Sequence, residues 1–102
     1  MSQKRLGEIP ATIEILGVEF KVKVVKLKGV YGDCDTDKRV IRLDSSLSKS
    51  DRERTLFHEA IHAALRVSGF AELLSDEKQE EALTVMLENA FSRAIDVEKL
   101  GS

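Results

Sequence analysis

The sequence predicts an α+β fold: a small antiparallel sheet of three to four strands, then two long α-helices packed on one of its faces. Two observations predict it. Up to about residue 44, apolar and polar residues alternate with period two and many of the apolar ones are β-branched, the pattern of strands with one buried and one wet face. From about residue 50 the period becomes helical, with capping residues at two starts. A chain of 102 residues suits one domain, residues 1–102. At that size roughly two thirds of the unfolded surface is buried, so the core is thin.

Each element follows in order. Residues 1–10, ending at Pro10, read as a mobile arm. ATIEILG, Ala11 to Gly17, sets Ile13 and Ile15 against Thr12 and Glu14; VEFKVKVVKLKG, from Val18, sets Val18, Phe20, Val22 and Val24 against Glu19, Lys21 and Lys23. Gly17 between them marks a hairpin turn. A second hairpin is expected from Gly29 to Ser46: Val30 and Tyr31 enter it, Asp35 to Lys38 turn it, and Arg39 to Asp44 leave as a strand with Ile41 and Leu43 on one face. Ser50 with Glu53 fits a capping box opening a helix from Asp51 to Ser68, closed by Gly69. Ser75 caps a second helix from Asp76 to Val97, with acidic residues at its positive end.

Composition narrows the function. The net charge is −2, and the 33% of charged residues mix both signs, which argues against a nucleic-acid partner, since that needs a basic face. No apolar run is long enough to span a bilayer, and the first residues lack the apolar core of a secretory signal. The single cysteine, Cys34, cannot form an internal disulfide. A cytoplasmic protein without a membrane partner is the expectation.

The chemistry concentrates in TLFHEAIHAAL, Thr55 to Leu65, which holds both histidines of the chain. Residues four apart share a helix face, so His58 and His62 can both offer an imidazole to one metal ion. Glu59 is turned by one position and can face a water instead, as general base. The flanking Leu56, Phe57, Ala60, Ile61, Ala63 and Ala64 are uncharged, directly after the charged run Asp51 to Arg54. That puts the histidines at the core boundary, where an unsatisfied polar group is costly. Catalytic zinc takes three protein ligands, and with no third histidine the last must be a carboxylate or Cys34. On the second helix the apolar positions Leu83, Leu87, Ala90 and Ala94 extend back to Glu80. Glu80 is therefore the expected third ligand, with Glu81, rotated towards Val85 and Glu88, and Glu77, Asp76 and Cys34 as alternatives.

The run IRLDSSLSKSDRERTLFHEAIHAAL, followed by a glutamate on the next helix, resembles the gluzincin-type metallopeptidases. Within them it is most similar to the ImmA/IrrE-like group, which includes small HExxH proteins of phages and mobile elements. The resemblance covers roughly Val18 to Ile95. It implies a zinc metallopeptidase of narrow specificity acting on a protein or peptide. His58, His62 and Glu80 would bind Zn2+, and Glu59 would take a proton from a metal-activated water. The strand Arg39 to Asp44 would border the cleft and pair with an extended substrate. Tyr31, Arg42 and Arg66 are candidates to steady the oxyanion. Two other readings stand beside it. One is a zinc-stabilised binding or regulatory module without significant proteolysis. The other is a different zinc hydrolase using Cys34 as a ligand.

Overall fold

Strand β1 (Thr12–Ile15) pairs antiparallel with β2 (Val18–Val25), as the alternation predicts. The turn between them is Leu16 and Gly17, with φ of 51° and 82°, a two-residue connection whose twist matches that of its strands. A computed structural model describes the backbone of residues 9–101 and the side chains of residues 9–91. Residues 1–8 of the expected arm and the side chain of Ala94 lie outside the described residues.

Two further strands, β3 (Gly32–Asp35) and β4 (Val40–Asp44), form the second hairpin. The Asp35 carboxylate accepts from the Lys38 N–H at 3.0 Å and fixes the turn. The order across the sheet is β1-β2-β4-β3. The sheet is mostly antiparallel, but its central pair, β2 and β4, is parallel. Period-two patterning sets which face a residue takes and not which strand it pairs with. Here β3 runs back one strand's width away from β2, and β4 fills the gap. Sequence reasoning made β4 the border of the cleft with an edge to offer; both its sides are paired, and β3 is the edge strand.

The connection that sets this spacing is tied to the end of β4. The Asp44 N–H donates to the Tyr31 carbonyl at 2.7 Å, and the Ser45 N–H to the Val25 carbonyl at 2.9 Å. The buried Asp44 carboxylate accepts from the Ser46 hydroxyl and from the Leu27 N–H, the latter at 2.8 Å. These bonds hold its carboxyl below the usual aspartate range.

On one sheet face, Ile15, Phe20, Ile41, Leu43 and Ala63 form the buried core. The register Val22↔Ile41 and Val24↔Leu43 aligns the apolar rows of β2 and β4. Ile41 and Leu43 share that face as expected, both fully buried, and burial of each contributes about 1.5–3 kcal/mol. Helix α1 (Lys49–Val67) packs there through Leu56, Ala60, Ala63, Ala64 and Val67. The small side chains let its axis come close. Its cap is Ser48, not the expected Ser50–Glu53 box: the Ser48 hydroxyl oxygen accepts from the Asp51 N–H at 3.2 Å, which leaves Ser50 inside the first turn. Gly69, at φ 85°, turns the chain out of the helix as expected.

A 3-10 turn, Phe70–Leu73, leads to helix α2 (Glu77–Gly101). Asp76 rather than Ser75 is its cap. The Asp76 carboxylate accepts from the Gln79 N–H at 3.0 Å, and the Gln79 side-chain oxygen from the Ser75 N–H at 2.8 Å. No helix among the described residues is long and apolar enough to cross a membrane.

One glycine decides how closely β3 meets α1. A Cβ on Gly32 would stand 2.7 Å from Thr55 Cγ2 and 2.9 Å from the Arg42 carbonyl oxygen. Both lie inside contact distance, and the second belongs to backbone that cannot rotate away. Gly32→Ala is expected to destabilise the fold by about 1–3 kcal/mol, the usual cost of overpacking, read as a lower urea midpoint. An unchanged midpoint would show that β3 can shift at no cost.

Candidate metal centre

Helix α1 carries two faces with different tasks. Its alanine-rich side meets the sheet, and the opposite side presents His58 and His62 to α2. Their one-turn spacing brings the ring centroids to 5.0 Å. Phe57 packs edge-to-face on Phe91 of α2 at 6.5 Å between centroids, next to the first histidine.

Three glutamates of α2 meet the two rings. Glu81 lies in front of both: one carboxylate oxygen is 2.9 Å from His62 Nε2, and the other 3.3 Å from His58 Nε2. On the far edges of the rings, Glu88 is 2.9 Å from His58 Nδ1 and Glu80 is 2.5 Å from His62 Nδ1. Glu80 also accepts from Arg66 Nε at 2.9 Å. Its carbonyl accepts from the fully buried Thr84 hydroxyl at 2.8 Å. His58, His62 and Glu81 can each offer one donor atom such that all three atoms lie within 4.8 Å of one another, close enough to hold a metal ion.

Of the carboxylates weighed for the third position, Glu81 and not the expected Glu80 stands before both Nε2 atoms. Glu80 is buried on the α2 face that meets α1, as the apolar stripe indicated. That burial puts it beneath the His62 ring, at Nδ1, and not at the opening where the two Nε2 atoms converge. Glu81, one residue round the helix and half-exposed, reaches the opening. Ala90, counted in the stripe, is exposed. Glu88 was missed as a site residue. Its signal was its spacing: seven residues from Glu81 places it within about 20° round the helix, so whatever brings Glu81 to the histidines brings Glu88 as well. Asp76 caps α2, and Glu77 stands at the margin of the site.

Glu59 is buried beside the rings, and burial raises its carboxyl above the usual glutamate range against the opposing pull of His62 and His58. At His58, burial acts to lower the pKa, but the Glu88 hydrogen bond and the charges of Glu81 and Glu88 outweigh it, and the net direction is upward.

Two open hollows meet at Glu59 and Gly32. One, of about 360 Å³, holds Val30, Tyr31, Thr55, His58 and Glu88; the other, of about 310 Å³, holds Asp33, Cys34, His62, Arg66 and Glu81. Together they make a groove along edge strand β3. A larger hollow of about 580 Å³ lies past Arg66 and contains neither histidine. Of the candidate oxyanion groups, Tyr31 is 71% exposed in the first hollow. Arg66 lines the second while binding Glu80 and, at 3.2 Å, the Cys34 carbonyl. Arg42 pairs with Asp33 through Nε at 2.9 Å, outside both hollows.

A family model described as the IrrE N-terminal-like domain, a peptidase family, matches residues 13–94. No curated protein and no solved structure matches the chain.

Cys34 lines the groove but stands outside the three-donor group. Burial pushes its thiol up to about 11, with Arg66 opposing and Glu59 adding to the rise. Since the thiolate is the reactive form, alkylation of the folded, metal-free protein by iodoacetamide at pH 8 should run about 100-fold slower than in the urea-unfolded chain. The rate should climb as the pH approaches 11. Equal folded and unfolded rates at pH 8 would refute the assignment.

Proposed function

The chain belongs to the IrrE N-terminal-like peptidase family, and on that premise we propose that it is a zinc-dependent metallopeptidase of narrow specificity. His58, His62 and Glu81 would hold Zn2+, and Glu59 would act as general base. The observation that carries this reading is the convergence of both Nε2 atoms on one Glu81 carboxylate. Two imidazoles and one carboxylate are the donor set of an open catalytic zinc site. When bound, zinc supplies Lewis acidity, making a water more acidic and polarising the scissile carbonyl.

The remaining work falls to the chain's own groups. Glu59 takes the proton of the attacking water on its carboxylate and delivers it to the departing amine. Its burial raises its basicity towards that task. Edge strand β3 offers its outer backbone to an extended peptide, which would lie in the groove as an added strand. Tyr31, in the hollow shared with Glu59, is the group best able to approach the carbonyl oxygen from solvent. The substrate is a protein or peptide, and a mobile-element setting belongs to the same reading.

The second reading, a zinc-stabilised binding or regulatory module, draws on Arg66 being engaged by Glu80 and the Cys34 carbonyl and on Tyr31 being mostly solvent-exposed. Both leave the oxyanion thinly supported. The zinc-loaded protein and Glu59→Gln are to be incubated with a proteome-derived peptide library and the new termini counted by mass spectrometry. Glu59→Gln should keep one zinc per chain and lose about 10² to 10⁴ in cleavage rate. Zinc uptake with no Glu59-dependent product selects the binding module, and unaltered cleavage by the variant removes Glu59 as the base.

A further inference from the structure

We infer that, in the metal-loaded protein, Glu88 and Glu80 are positioning residues that set the tautomer of His58 and His62, each by accepting the hydrogen bond of one ring's Nδ1–H so that Nε2 presents its lone pair to the metal. The inference rests on the metal reading above and extends it to two carboxylates that reading does not use.

An imidazole has two nitrogens, and a neutral ring carries its proton on one of them. A carboxylate only accepts, so a ring nitrogen facing one at hydrogen-bond distance carries the proton. Glu88 faces His58 Nδ1 at 2.9 Å, and Glu80 faces His62 Nδ1 at 2.5 Å. Glu81 stands 2.9 Å from His62 Nε2 and 3.3 Å from His58 Nε2; with Zn2+ held between Glu81 and the two Nε2 atoms, Nδ1 would be the one nitrogen of each ring still facing a carboxylate, and the ring proton would stay there. The pairs are shielded from water: the side chains of His62 and Glu80 are each 11% exposed, those of His58 and Glu88 21% and 17%. Solvent is therefore poorly placed to take over either Nδ1 bond.

The two carboxylates are held differently. Glu80 is fixed from a second side by Arg66 Nε, on the same oxygen that meets His62. Glu88 has its described bond to His58 alone. Glu80 thus belongs to a three-member chain from Arg66 through Glu80 to His62, and Glu88 is the separable member on which the inference is best tested. Outer carboxylates of this kind typically change metal affinity by about 10- to 100-fold.

The experiment measures zinc affinity by chelator competition on the full chain, for wild type, Glu88→Ala and Glu88→Gln. Metal-free melting temperature is recorded alongside, and Co2+ absorption reports the ligand geometry. Glu88→Ala should bind zinc about 10- to 100-fold more weakly with an altered Co2+ spectrum. Glu88→Gln, which keeps an acceptor oxygen, should recover part of that loss. In the zinc-loaded wild type, long-range proton–nitrogen NMR should show both rings protonated at Nδ1 and ligated at Nε2, which needs no variant to fold. Zinc affinity of Glu88→Ala within twofold of wild type, or either ring ligated through Nδ1, overturns the inference and leaves the metal reading standing. Wild-type protein that takes up no zinc overturns both.

Discussion

The close seating of α1 on the sheet is the constraint on which the rest depends. Ala60, Ala63 and Ala64 face the strands, and Gly32 admits Thr55 where any side chain would collide. With α1 that near, Glu59 comes down beside the edge strand while its helical neighbours His58 and His62 turn the other way, towards α2. One helix thereby serves as core element and as carrier of Glu59 and both histidines, and its small residues are what let it do both.

The electrostatics of the centre follow from that arrangement. Glu59, Glu80, Glu81 and Glu88 surround two imidazoles, and Arg66 is the guanidinium among them. Four carboxylates against one arginine make a site that attracts positive charge, and in a partly buried setting such attraction is screened less than in open water. A divalent cation bound there would relieve the imbalance. The raised carboxyl of Glu59 and the raised imidazole of His58 are two expressions of the same crowding, one driven by burial and the other by neighbouring negative charge.

Much of this was legible in the sequence. Alternation identified the strands and the shared face of Ile41 and Leu43, because burial on a pleated sheet must follow period two. The spacing of His58 and His62 placed the two rings side by side, as they stand, because a helix face is fixed by arithmetic. Strand pairing was not legible: nothing in Val40–Asp44 says that it slots in beside β2 and leaves β3 as the edge. The caps slipped by one or two residues, Ser50 to Ser48 and Ser75 to Asp76, where several side chains in a row can do the same work. The two neighbouring glutamates separate for a subtler reason. Pattern reasoning rewards the residue in line with the buried stripe, whereas the groove opens where the burial ends. Glu80 obeyed the pattern and went under the ring; Glu81 stood at the opening.

The join between α1 and α2 has a wider consequence. Among the described side chains of α2, Leu83 and Leu87 are only half-buried, and Val85, Met86 and Phe91 remain 42%, 55% and 51% exposed, so the imidazole–carboxylate pairs are prominent in its contact with α1. Apolar burial carries a heat-capacity signature and bends the stability curve with temperature. Charged contacts answer instead to ionic strength and to whatever cation is at hand. The chain is thus governed in two parts. The apolar seam between the sheet and α1 answers chiefly to temperature, while the imidazole–carboxylate contacts between α1 and α2 answer to the salt and cations of the surrounding solution.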